Sequence, residues 1–146
     1  MTVGKILEKL GQQIATCRPE DTIQTVATIL TTKGVGALPV CDERGEMVGI
    51  ISERDIVTAF SLRGGEIKSL RVRDVMTSDV ISCTGDDTPA RARALLQTHR
   101  FRHLPVMNDG KLAGILSIRD LLEIRLEETE LEVNVLKDSV IAARFR

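Results

Sequence analysis

Gly49-Ile50-Ile51-Ser52-Glu53-Arg54-Asp55 returns later in the chain as Gly114-Ile115-Leu116-Ser117-Ile118-Arg119-Asp120. In each copy an apolar, β-branched strand passes at a serine straight into a segment of helical periodicity. Serine followed three residues on by an acid is the pattern of a capping box. Ser52 and Ser117 would accept from the first turn, and Asp55 and Asp120 would answer back to the cap's own N–H. The same geometry has a second reading. A helix start presents unpaired N–H groups and partial positive charge to an anion, and a carboxylate in that turn can accept two hydrogen bonds from a cis-diol such as a ribose. From the motif alone both readings stand.

The agreement extends well beyond the motif. At an offset of 66, Ile14-Ala15-Thr16-Cys17 faces Val80-Ile81-Ser82-Cys83, Asp21-Thr22 faces Asp87-Thr88, and Leu38-Pro39-Val40 faces Leu104-Pro105-Val106. One residue is lost in the next turn. After it Gly45, Gly49, Ser52, Arg54 and Asp55 face Gly110, Gly114, Ser117, Arg119 and Asp120. Matches scattered through two whole units identify an internal duplication. Two units are too few for a solenoid, but they suffice for a pair closed about a pseudo-two-fold axis.

Composition bounds the function. A chain of 146 residues suits one compact domain or two tightly paired halves. A net charge of −1 and a pI near 6.1 offer no global attraction to nucleic acid or anionic lipid. Without Trp or Tyr, and with only Phe60, Phe101 and Phe145, there is no series of aromatics for bases to stack on. Cys17, Cys41 and Cys83 lack metal-ligand spacing and read as buried free thiols of a reducing compartment. The N-terminal stretch has no signal-peptide core, and no apolar run reaches bilayer length. The expected location is cytoplasmic, with neither membrane nor nucleic acid as partner.

In chain order, Val3, Ile6, Leu7 and Leu10 share one face of a short helix that leads into the first unit. Ile14 to Cys17 reads as a short strand. Thr22 caps a helix carrying Ile23, Val26, Ala27 and Leu30, and Gly34 ends it. Val35 to Cys41 and Met47 to Ile51 form a hairpin about Asp42-Glu43-Arg44-Gly45, and the helix from Ser52 completes β-α-β-β-α. Arg63-Gly64-Gly65 breaks that helix, leaving a polar, mobile connection to Val72. Its Arg63, Lys68, Arg71 and Arg73 are a solvated face or a reach toward an anion at the repeat interface. The second unit replays the first, with Pro89 opening a helix capped by Thr88 and Asn108-Asp109-Gly110 as a tighter turn.

From Ser117 the helical pattern runs to about Ala143, roughly 40 Å at 1.5 Å per residue. Leu122, Leu126, Val133, Leu136, Val140 and Ala143 fit a heptad with Thr129 as its weak position. The first turns belong to the repeat core. Beyond Glu127 the stripe has no evident cover in the monomer, so it is expected to meet a second copy or to fold back on its own domain.

These repeated elements together resemble a tandem pair of CBS domains, the module named after cystathionine β-synthase. The resemblance covers about residues 1 to 126, and the chain is similar in length and plan to stand-alone bacterial CBS-pair proteins. It implies an α+β fold, a Bateman module of two β-α-β-β-α repeats paired about a pseudo-two-fold axis, plus a long C-terminal helix. The expected divisions are 1–66 for the first repeat with its lead-in helix, 67–126 for the second, and 127–146 for the helical extension. Two clefts between repeats that take adenosine compounds, and dimerisation into a disc of four repeats, are also implied.

Carried across by position, the resemblance makes Asp55 and Asp120 acceptors for ribose hydroxyls. It sets Ser52 and Ser117 near the α-phosphate, with Arg54 and Arg119 between them in the motif. Thr16, Cys17, Ser82 and Cys83 would line the adenine slots. Residues just before the Leu-Pro-Val strand would supply cations across the repeats, and here the copies differ: Arg102 and His103 precede Leu104, whereas Gly36 and Ala37 precede Leu38. The Asp55 cleft is therefore expected to be the better equipped for phosphate.

Little supports catalysis. His99 and His103 are the only imidazoles, no nucleophile is paired with them by sequence, and no Gly-rich loop precedes Lys-Ser or Lys-Thr. The expectation is a regulatory module with an adenine nucleotide (AMP, ADP, ATP or NADH) as its ligand, no metal, a homodimeric state and an unknown effector protein. The alternative is a structural or interaction homodimer without a ligand.

Overall fold

A computed structural model describes residues 1–11 and 13–144; Phe145 lies outside them. The first repeat holds α2 (Ile23–Lys33), the antiparallel pair β1 (Ala37–Cys41) and β2 (Met47–Ser52), and α3 (Glu53–Arg63). The second holds β3 (Cys83–Thr84), α5 (Pro89–His99), β4 (His103–Asn108), β5 (Lys111–Ser117) and α6 (Ile118–Arg144), with sheet order β3-β4-β5. Two short helices, α1 (Val3–Leu10) and α4 (Val72–Val75), precede the repeats. The fold is α+β, and each repeat packs its helices on its own small sheet around its own core.

The lead-in helices are exchanged. Val3 and Ile6 of α1 are fully buried in the core of the second repeat, beside Leu96, Leu104 and Leu116. Leu70 and Val72 are buried in the core of the first. Backbone bonds repeat the exchange: the N–H groups of Val3 and Gly4 donate to the carbonyls of Asp87 and Gly85, and those of Val72 and Arg73 donate to Asp21 and Pro19. Asp21 and Asp87 hold one repeat position, as do Pro19 and Gly85, so the two sets of bonds are images about the pseudo-two-fold axis. The helix expected with the first repeat thus packs on the second. The reason is apolar burial: Val3 and Ile6 are covered completely in the second core, and Leu70 and Val72 are buried in the first. The connection after Gly64, expected to be mobile, forms a 3-10 turn over Gly64–Ser69, with Ile67 packed against the first core.

The expected strand at 14–17 is absent, and a single bridge joins Cys17 to Val40. Cys17 N–H donates to the Pro39 carbonyl, and Cys41 N–H donates to the Cys17 carbonyl. The next parallel rung would need an N–H from Pro39, which proline lacks. Pro105 limits β3 in the same way, and that ladder begins at Cys83. Each Leu-Pro-Val strand therefore releases the residues ahead of the cysteine from the sheet.

Helix α6 follows the sequence pattern. Leu121 and Ile124 are buried, whereas residues 127–143 are exposed throughout. Lys9 of α1 meets Glu127 at 2.7 Å, an exposed ion pair of small energetic weight. Among the described residues no helix is long and apolar enough to cross a membrane.

Candidate functional site

Both capping boxes form. Ser52 N–H donates to Asp55 Oδ2 at 2.9 Å, and Asp55 N–H donates to Ser52 Oγ at 3.2 Å. At the second site Ser117 N–H donates to Asp120 Oδ2 at 2.9 Å, and Asp120 N–H donates to Ser117 Oγ at 3.0 Å. The bland reading of the motif is therefore true. It does not exclude the other, because each cap uses one carboxylate oxygen and both boxes open onto cavities.

The first cavity, about 280 Å³, places Ser52, Arg54 and Asp55 opposite Arg102 and His103 of the other repeat. Its apolar wall is Ile50, Val80, Ile81 and Phe101. The second, about 850 Å³, holds Ser117, Arg119 and Asp120 with Ile14, Ala15, Lys33, Gly36 and Ala37 of the first repeat. Each is thus crossed, a helix start from one repeat against the pre-strand segment of the other. Thr16, Cys17, Ser82 and Cys83, expected to line the slots, line neither cavity. They follow the proline-terminated ladder, where the cysteines turn into the cores; Ile14-Ala15 and Val80-Ile81, freed from the sheet, take the cavity positions. Burial pushes the Cys17 thiol up to about 12, with Asp21 and Cys41 adding to the effect, and the Cys83 thiol up to about 11, helped by Asp87. Arg63, Lys68, Arg71 and Arg73 line neither cavity, and Arg63 pairs with Glu66 instead.

Arg102 and His103 do not favour one cleft as expected. Both line both cavities, together with Gly36 and Glu53. Gly36 holds the repeat position of Arg102, and a Cβ there would lie 3.0 Å from His103 Nε2. The missing side chain in the first repeat is what lets the imidazole occupy the shared wall. Burial lowers the proton affinity of His103; Asp120, Glu53 and Asp55 oppose that, while Arg102 reinforces it.

Several lining groups escaped the motif reading. Arg100 lines the Asp55 cavity at φ 57, a left-handed residue where the first repeat has Gly34 at φ 64. A non-glycine residue held there carries local strain, and a mismatch against a repeat glycine is the signal that could have found it. Arg54, Arg100 and Arg102 face Glu53, Asp55 and Asp79 in one cavity; Lys33, Arg102 and Arg119 face Glu53, Asp120 and Glu123 in the other. Among the described residues no group of His, Cys, Asp or Glu is arranged to hold a metal.

The CBS-domain family profile matches residues 3–62 and 72–127. The chain belongs to the CBS-domain family. A solved CBS-domain containing protein from Agrobacterium tumefaciens is 34% identical, with a TM-score of 0.82 over 86% of this chain and 99% of that one. The structure of CBSX2 in complex with AMP is 27% identical, with a TM-score of 0.71 over 88% of this chain and 98% of that one. Among curated relatives, inosine-5'-monophosphate dehydrogenase of Methanocaldococcus jannaschii is 33% identical over 124 residues, 84% of this chain. The chain spans 24% of that enzyme's length, so the likeness is to its CBS region.

Proposed function

We propose that this CBS pair is a regulatory module, not an enzyme, that binds an adenine nucleotide (AMP, ADP, ATP or NADH) in the clefts between its repeats. The carrying observation is the crossed construction: each cavity joins an aspartate-capped helix start, with a carboxylate oxygen left over by the cap, to cations and an apolar wall. Asp55 and Asp120 would take the ribose hydroxyls, the serine-capped helix starts and arginines the phosphates. In the Asp55 cleft, Ile50, Val80, Ile81 and Phe101 would receive the base. The AMP complex of a related CBS pair supports the ligand class.

A ligand changes output only by favouring one packing of the repeats over another. Because each lead-in helix belongs to the other repeat's core, a shift at the repeat interface would be carried into both. The readout would be an effector protein in the cytoplasm. A second copy would cover the exposed apolar residues Val57 and Phe60 of α3 and Leu122 and Leu126 of α6.

Thermal unfolding against AMP, ADP, ATP, NADH and S-adenosylmethionine, with adenosine as the control lacking phosphate, tests the reading. Ligand at a hundred times Kd adds about 2.7 kcal/mol, which at this size raises Tm by roughly 5 to 10 °C. A shift confined to the nucleotides supports the sensor. No shift at millimolar concentration would replace it with a structural homodimer that keeps the fold without the ligand.

A further inference from the structure

The two clefts meet at one wall, and that wall is asymmetric. Gly36, Glu53, Arg102 and His103 line both cavities. In a strictly symmetric pair each repeat would supply its own cations at this place. Here the first repeat offers Gly36 and Ala37, and the second offers Arg102 and His103. The imidazole fills the space that a side chain at position 36 would take, with Glu53 at its edge; burial lowers its proton affinity, against the pull of carboxylates from both clefts, Asp120, Glu53 and Asp55. Arg102 is exposed, with no ion pair among the described residues, so its guanidinium is free to turn to either side.

Resting on the nucleotide reading above, we propose that the clefts are negatively coupled for phosphorylated ligands, because the Arg102 guanidinium, with the His103 imidazole beside it as a hydrogen-bonding group, forms a single wall that the two share. Each cleft balances three full cations against three carboxylates only when Arg102 is counted. A phosphate in one cleft draws the guanidinium to itself and leaves the other with two cations facing three carboxylates. The second phosphate then enters a net acidic cleft. Private cations, Arg54 and Arg100 on one side and Lys33 and Arg119 on the other, keep either cleft competent while its neighbour is empty. The coupling is therefore a property of the phosphate. Loss of one charge-assisted contact corresponds to about a tenfold loss of affinity or more.

Calorimetric titration of the full chain with AMP tests this, using Asp55→Asn and Asp120→Asn to leave one cleft working at a time while keeping an oxygen acceptor for each helix cap. The expected result is one AMP per chain in each variant, and two steps in the unaltered chain, the weaker at least about tenfold poorer than that cleft measured alone. Arg102→Ala should shrink this ratio, and adding His103→Gln should bring it to one. Lys33→Ala should weaken the Asp120 cleft and leave the ratio unchanged. Adenosine in place of AMP should show no coupling.

Two steps at their single-cleft affinities would overturn the proposal. So would a ratio indifferent to Arg102→Ala with His103→Gln, or a cleft that takes no AMP when its neighbour is disabled. Failure of AMP to bind any form, the unaltered chain included, would instead remove the nucleotide reading and the coupling with it.

Discussion

Asp55 serves as half of a helix cap and, on the reading above, as a ribose ligand, and the two roles separate by substitution. Asp55→Ala leaves the half-buried Ser52 N–H, now bonded at 2.9 Å, without its acceptor. A lost cap of this kind costs about 1 kcal/mol, within a range of roughly 0.5 to 2, and at this chain length Tm should fall by about 2 to 4 °C. Asp55→Asn keeps an oxygen for the same N–H and should lower Tm by about 1 to 2 °C at most. Binding should order the variants differently. Both remove the charge that a ribose hydroxyl would meet, so AMP in the 280 Å³ cleft should weaken by about tenfold or more in each. Ser52→Ala serves as the converse control: it removes the acceptor of the Asp55 N–H at 3.2 Å, costs stability of similar size, and leaves the carboxylate charge in place. Differential scanning fluorimetry and calorimetric titration on the same samples give both readouts. If Asp55→Asn bound AMP as the unaltered chain does, while Asp55→Ala lost only stability, the aspartate would be a cap alone.

Three further outcomes follow from the packing. His103 has its folded-state proton affinity lowered by burial, so below its ordinary value of about 6.5 the unfolded chain binds the proton more readily. Stability should therefore decline as pH falls from 7 toward 5.5, and His103→Gln should flatten that slope in denaturant titrations. Cys17 and Cys83 are buried with strongly raised thiol values, so a thiol reagent at pH 8 should find only the half-buried Cys41 in the folded chain and all three cysteines after unfolding; fast modification of two or more would contradict the core assignment. Finally, Phe60 is 60% exposed, Leu122 53% and Leu126 62%. If a second copy covers them, Leu122→Glu should shift sedimentation from dimer to monomer with the far-ultraviolet spectrum unchanged, and a monomeric unaltered chain would sink that reading.

The fold was legible in the sequence because duplication supplies an internal comparison. Ser52 against Ser117, Pro39 against Pro105 and Thr22 against Thr88 are pairs in which chance is an unlikely author, and each marks a local event: a cap, a ladder's end, a helix start. Two things stayed hidden for physical reasons. The exchange of lead-in helices could not be seen because Val3 and Val72 present the same apolar periodicity to either repeat; which core receives them is a property of the assembled units. The cavity lining was displaced by two residues because alternation along a strand does not say where the strand stops. Pro39 and Pro105 carried that information, since a residue without an N–H ends a parallel ladder on its N-terminal side.

The departures from symmetry are more informative about function than the symmetry itself. Where the repeats agree, at Ser-x-Arg-Asp, they build two equivalent helix starts and nothing distinguishes one cleft from the other. Where they differ in the segment before the Leu-Pro-Val strand, at Gly34 against Arg100, Gly36 against Arg102 and Ala37 against His103, each of these residues falls on a cavity wall. Arg100 is held at φ 57 with its strain while its counterpart remains glycine. Packing alone gives no reason for that arrangement, because a glycine at 100 would end α5 as Gly34 ends α2 and at lower conformational cost. Placing a guanidinium beside the Asp55 cleft is a gain that can offset it. An Arg100→Gly variant should then be as stable as the parent or more so, by up to about 1 kcal/mol, while binding phosphorylated ligands more weakly in that cleft; a variant both less stable and unchanged in binding would show that the arginine is there for the fold.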